Sequence, residues 1–251
     1  MMLAITVPGR PAALSILLSV VLAASGCTVA VAPQGSQTQT AARPVISGTP
    51  QKAPADKNFA TIVARVEPVA EQVCRATPPA RNCDFRIELD RDPSKPANAY
   101  QTQLANGQPL LVVNQTLLND LRNADEVAFV LSHEAAHHIS DHIARQQSTT
   151  EAAAIAAGLA AAALGGTSST IASAQELGAF TGSRAYSKNY ELEADSLGAQ
   201  IAYHAGYDPV DGVAYFSRAR DPGDQFLGTH PPNGDRIRVV QQTMARLTRG
   251  Q

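Results

Sequence analysis

The segment His133-Glu134-Ala135-Ala136-His137 constrains this chain more than any other feature. Two histidines four residues apart serve one metal ion only if the backbone between them is helical, because a turn of 3.6 residues stacks positions i and i+4 on one face. The flanks supply that helix. Asn123-Ala124-Asp125-Glu126 reads as a capped start, and Val127, Val130, Leu131 and Ile139 form an apolar face. The pattern predicts a helix of about six turns over residues 124–147. On it Glu134 sits beside the two imidazoles without being a ligand, placed to take a proton from a metal-activated water and pass it to a leaving amine. This is the residue set of zinc-dependent peptide hydrolysis. On a solvated, His-rich helix the same letters would bind nothing. A second pair at the same spacing, His138 and His142, has Ile139 where the base would stand. It reads as histidines that support the site from behind or lie on the surface.

A catalytic zinc site takes three protein ligands and leaves a fourth position to water. Glu191 is the best candidate for the third. Tyr190 to Gly198 looks helical, with Glu191 and Asp195 four apart on one face, so that Glu191 can bind the metal while Asp195 hydrogen-bonds a ligand imidazole and fixes its tautomer. Acid pairs at this spacing also occur on solvated helices that hold no metal.

An HExxH helix followed roughly fifty residues later by ExxxD with Ala194 before Asp195 resembles the zinc peptidase family of the HtpX heat-shock peptidases, the CAAX prenyl proteases and the periplasmic enzymes BepA and LoiP. The resemblance takes in roughly residues 58–251, with further support from Pro96-Ala97-Asn98-Ala99-Tyr100, from Ala185-Tyr186-Ser187, and from Thr229-His230-Pro231-Pro232 followed by Arg236. It implies an α+β, mostly helical, zincin-like domain with a small β-sheet beside the metal-binding helix. It also implies one Zn²⁺ per chain on His133, His137 and Glu191, with Asp195 in support and with His230 and Arg236 approaching the site. For His230, read alone as a loop residue before a Pro-Pro turn, it leaves two roles open: stabilising an oxyanion, or occupying the open metal position at rest.

Residues 1–26 hold no acidic residue, carry Arg10 ahead of the apolar run Ala12 to Ala24, and end at Ser25-Gly26 before Cys27. A charged start, a short apolar core and small residues describe an export signal rather than a transmembrane helix, which needs about 20 apolar residues. Cys27 resembles a lipoprotein processing site, although Ala24 stands where Leu is more usual; ordinary signal cleavage and a soluble periplasmic product are the alternative. Thr28, which is not Asp, points by the same resemblance to the outer membrane, periplasmic face. Residues 27–57, rich in Ala, Pro, Gln, Thr and Ser, read as a flexible tether. About 195 residues remain for one catalytic domain. Removing residues 1–26 takes Arg10 alone among charged residues, so the formal charge moves from −2 to −3, and no basic excess argues for nucleic acid. Cys74 and Cys83 fit a disulfide in an oxidising compartment, with free thiols or a redox switch as alternatives.

Elsewhere, Phe59, Ile62, Val63, Val66, Val69, Ala70 and Val73 recur at helical spacing, with Pro68 predicted to bend or divide that helix. Phe85 to Leu89 alternates as a strand, and residues 99–104 and 109–113 flank Asn106-Gly107 as a hairpin. The resemblance implies that an edge strand at Asn98 to Tyr100 takes substrate in extended form; read alone, it is an ordinary structural strand. Residues 152–166, almost pure Ala, Leu, Ile and Gly, are too few to span a bilayer and predict a packed helix or hairpin, or, with residues 167–184, a mobile lid over the metal. Together these readings give an envelope zinc endopeptidase acting on unfolded, misfolded or surplus proteins. The alternatives are a chaperone-like or assembly lipoprotein that keeps a zinc site and cleaves little, or an exported enzyme of lipid or cell-wall bonds. Oligomeric state is not legible.

Overall fold

The apolar spacing in residues 59–76 produces helix α1 (Phe59–Ala76), which buries Ile62, Val66, Ala70 and Val73 along one face. Asn58 caps it, its side chain accepting from the Thr61 amide. Pro68 does not divide the helix. The residue whose carbonyl loses its partner, Ala64, lies with Pro68 on the exposed side, where water replaces the missing donor while the buried face holds the helix together. These coordinates come from a computed structural model, which describes residues 50–185, 187–219 and 231–249.

Strand β1 (Arg86–Asp90) follows a loop closed by the Cys74–Cys83 disulfide, whose Cα atoms are 5.7 Å apart. Strands β2 (Ala99–Gln103) and β3 (Pro109–Asn114) form the antiparallel hairpin around Asn106-Gly107, with Gly107 at φ +79°. The order is β1-β3-β2, with β1 parallel to β3. The most apolar strand, β3, is thus central, and β2 is an edge. Asn114 ends β3 and caps α2 (Gln115–Asp120) by accepting from the Leu117 amide.

Helix α3 (Ala124–Ile139) carries the histidine motif and is the centre of the core, packed by α1, by α6 (Ser187–His204), by α7 (Pro209–Val213) and by β2 and β3. Val127, Ala128, Leu131, Ala135, Ala136 and Ile139 are fully buried. Its start is as the sequence implies, with Asn123 accepting from the Glu126 amide, but its end is not. The predicted run to residue 147 breaks after Ile139: Asp141 adopts the left-handed conformation (φ 56°), and α4 (His142–Ala163) leaves in a new direction.

Helix α4 and α5 (Ser168–Ala185) make the packed hairpin expected of the Ala-rich stretch. Their contact is close because side chains are absent: a Cβ at Gly178 would come within 2.4 Å of the Ala153 carbonyl oxygen. No helix among the described residues is long and apolar enough to cross a membrane. After α7 and a short 3-10 turn (Ala214–Ser217), α8 (Asn233–Arg249) lies against α6. Residues 27–49 of the predicted tether, the signal segment and Cys27 lie outside the described residues. The tether's last part is docked: Ala53 donates its amide to Gly206, and Lys57 Nζ donates to the Leu118 and Leu121 carbonyls.

Candidate metal centre

Burial along α3 is interrupted by a narrow stripe. After the first turn, Val130, Glu134 and His137 are the positions left partly open before the helix end, and their spacing of four and three places them on one face. That face forms a wall of a cleft of ≈ 390 Å³, whose other walls include Asn98 and Tyr100 at the sheet edge, Glu191 on α6 and Arg236 on α8.

Three groups converge there. His133 Nε2 and His137 Nε2 are 3.0 Å apart, and Glu191 places one carboxylate oxygen 3.4 Å from the first and the other 3.5 Å from the second. Ligand atoms about 2.0–2.1 Å from a tetrahedral ion stand about 3.3 Å from one another. The observed separations fit such an ion, and two imidazoles with one carboxylate suit zinc. Among the described residues these three form the group of donors able to hold a metal.

Each imidazole is also held from behind. Asp195, one turn along α6 from Glu191 and fully buried, lies 3.0 Å from His133 Nδ1 through Oδ1. Arg236 donates to both Asp195 oxygens, at 2.8 and 2.7 Å, and its guanidinium lies 3.8 Å from the centre of the Phe216 ring. Burial alone would raise the Asp195 carboxyl, but the Arg236 cation and its hydrogen bonds outweigh it and hold the group below the usual carboxylate range. His137 is backed instead by an imidazole, with its Nδ1 2.8 Å from His142 Nδ1.

Without metal the two ligand histidines differ in charge. Burial disfavours the His133 cation, yet hydrogen bonds to Asp195 and Glu191 outweigh that cost and push the ring up to about 9. Burial and the neighbouring His133 charge push His137 down to about 3. These shifts favour the protonated ring at His133, beside the carboxylates, and the neutral ring at His137.

The structure brings together His133, Glu134, His137, Glu191, Asp195 and Arg236. His230 falls outside the described residues. Of the two readings of His138 and His142, support from behind the site holds for His142 and the surface reading holds for neither. His138 is buried on another face of α3, its Nε2 2.7 Å from the Asn82 carbonyl and its ring edge-on to Phe85; it fastens the helix to the disulfide loop. His142 is buried against the metal site. Sequence reasoning did not find Gly198, where a Cβ would stand 2.9 Å from both the His133 Cα and its amide nitrogen. Nor did it find Phe216. A glycine one turn after ExxxD is a weak signal for the first, and nothing in the sequence marks the second.

The model of peptidase family M48 matches residues 56–244. Among curated proteins the chain is similar to the beta-barrel assembly-enhancing protease of Yersinia pestis, 27% identical over 145 aligned positions that take in 51% of this chain and 29% of that protein. The chain thus spans under a third of the curated relative it matches.

Proposed function

The chain belongs to peptidase family M48, a family of metallopeptidases, and on that premise we propose that it is a zinc endopeptidase of the bacterial cell envelope that cleaves unfolded, misfolded or surplus proteins. The observation that carries the reading is the convergence of His133, His137 and Glu191 on one point in an open cleft, with Glu134 on the same wall.

Zinc, when bound to these three side chains, supplies Lewis-acid polarisation of a carbonyl and lowers the pKa of water to about 7. The chain supplies the rest. Glu134, set between the two histidines in sequence and on the open stripe, accepts the proton of the attacking water and returns it to the departing amine. Asp195 and Arg236 keep the His133 ring from turning, with Asp195 accepting the Nδ1 proton so that Nε2 offers its lone pair. Tyr100, at 45% exposure on edge strand β2, flanks the cleft entrance. A peptide laid along that edge would be held by main-chain hydrogen bonds, which demand little of its sequence. Such binding suits a substrate defined by being unfolded.

For location, the reading assigns residues 1–26 to export, Cys27 to a lipid anchor in the outer membrane facing the periplasm, and the following residues to a tether. The Cys74–Cys83 disulfide is in keeping with an oxidising compartment. The similarity to a protease named for β-barrel assembly supports the envelope address. His230 precedes α8, and His230→Ala separates its two roles: lower turnover for oxyanion support, higher for a resting-state ligand.

Incubating the purified protein with a permanently unfolded polypeptide tests the activity. Internal cleavage, abolished by a chelator and restored by zinc, is the expected result. An intact polypeptide that is nonetheless kept from aggregating would replace the peptidase with a chaperone-like lipoprotein.

A further inference from the structure

We propose that His142 is a positioning residue that fixes the tautomer and orientation of the metal ligand His137, in a chain that runs from His137 through His142 to Glu193. The proposal rests on the zinc centre described above and concerns a side chain that neither the HExxH motif nor the ExxxD motif includes.

Two neutral imidazole nitrogens 2.8 Å apart, His137 Nδ1 and His142 Nδ1, form a hydrogen bond only if one carries a proton and the other a lone pair. The far side of His137 decides which. Its Nε2 faces His133 Nε2 at 3.0 Å and Glu191 at 3.5 Å, so a metal there takes the Nε2 lone pair and the His137 proton belongs on Nδ1. His142 Nδ1 is then the acceptor, and its own proton lies on Nε2. That nitrogen sits 3.3 Å from Glu193 Oε2, close to the carboxylate though short of a full hydrogen bond. Arg145 holds the same Glu193 oxygen at 2.9 Å.

The placement depends on the break in the helix. In an uninterrupted helix residues 137 and 142 would be about 140° apart around the axis and unable to meet. The left-handed Asp141 turns α4 so that the two rings lie 4.9 Å apart between centres. His142 is then pinned: it is buried and stacks on Tyr190 of α6 with centres 4.7 Å apart and planes 20° from parallel. A ring fixed on its far face and aimed at a ligand nitrogen is built to hold that ligand, as Asp195 holds His133.

The test is zinc affinity of the full-length protein, measured by competition with a chromophoric chelator, for the parent, His142→Phe and His142→Asn. Phe keeps the stacking on Tyr190 and lacks the acceptor; Asn loses the stacking and keeps an acceptor near the Nδ1 position. The proposal expects Phe to weaken zinc binding by roughly 10- to 100-fold, with the thermal midpoint of the metal-free protein retained, and Asn to restore most of that affinity. Phe binding zinc as tightly as the parent, or Asn weakening it as much as Phe, would overturn it. Should Phe fail to fold, His142→Ala takes its place: Asn binding zinc more tightly than Ala supports the role, and equal binding removes it. A parent that takes up no zinc, or a His133→Ala variant that binds it undiminished, would instead overturn the metal centre itself, and His142's role with it.

Discussion

Asp195 has no exposed surface, and its charge is balanced by Arg236, which is almost as deeply buried. Removing one partner leaves the other charged and stranded in the core, so Asp195→Ala is expected to cost about 3–5 kcal/mol of stability. Denaturant unfolding of the metal-free protein measures this, and a loss of under about 1 kcal/mol, the range of exposed pairs, would contradict the assigned geometry. The raised His133 carries a second prediction. Below about 9 the metal-free site holds a proton on that ring; zinc needs the lone pair, so binding at pH 7 should release about one proton. Affinity should climb with pH and level off near 9, where the proton is already gone. Calorimetry in buffers of different ionisation enthalpy reads the number directly, and heats independent of buffer would refute it. At this scale the sequence was most legible for residues whose spacing along a helix carries the chemistry: His133, Glu134, His137, Glu191 and Asp195. Arg236 and His230 came through family resemblance. Phe216 is brought to the site by the tertiary fold, and no local pattern encodes that.

Among the elements, the two ligand-bearing helices meet where Gly198 of α6 faces the backbone of His133 on α3. A methyl group there would collide with main chain, which cannot swing aside as a side chain can. Gly198→Ala should therefore push α6 away from α3, costing about 1–3 kcal/mol as overpacking does, and carry Glu191 off His133, weakening zinc binding as well. Parent-like stability and affinity would show that the helices are less closely opposed. Element types were readable from periodicity: α1, the three strands, the hairpin turn and the start of α3 all follow their patterns. Two boundaries were not. Pro68 stays inside α1 because the Ala64 carbonyl it leaves without a donor faces water. The end of α3 was hidden because Ser140-Asp141 is an unremarkable pair in sequence and becomes a break only through the left-handed backbone at Asp141. That break decides which histidine stands behind His137.

At the scale of the whole molecule, the described chain buries an α-helix on nearly every side and opens one stripe of it, Val130, Glu134 and His137, to a cleft edged by the outer strand β2. Helices and strands were legible because apolar periods of two and of 3.6 separate along the chain, while the place of the small sheet beside the metal helix came through family resemblance. Sheet order was not, since the parallel pairing of β1 with β3 depends on contacts far apart in sequence. In the proposed mechanism labour is divided within five residues: two histidines would hold the metal and the glutamate between them would move the proton. The most direct measurement pairs metal content with cleavage of an unfolded polypeptide for the parent and for Glu134→Gln. One zinc per chain in both, with cleavage by the parent alone, is the predicted result. Loss of zinc from Glu134→Gln, or cleavage undiminished by it, would contradict the assignment of Glu134 as a base that is not a ligand.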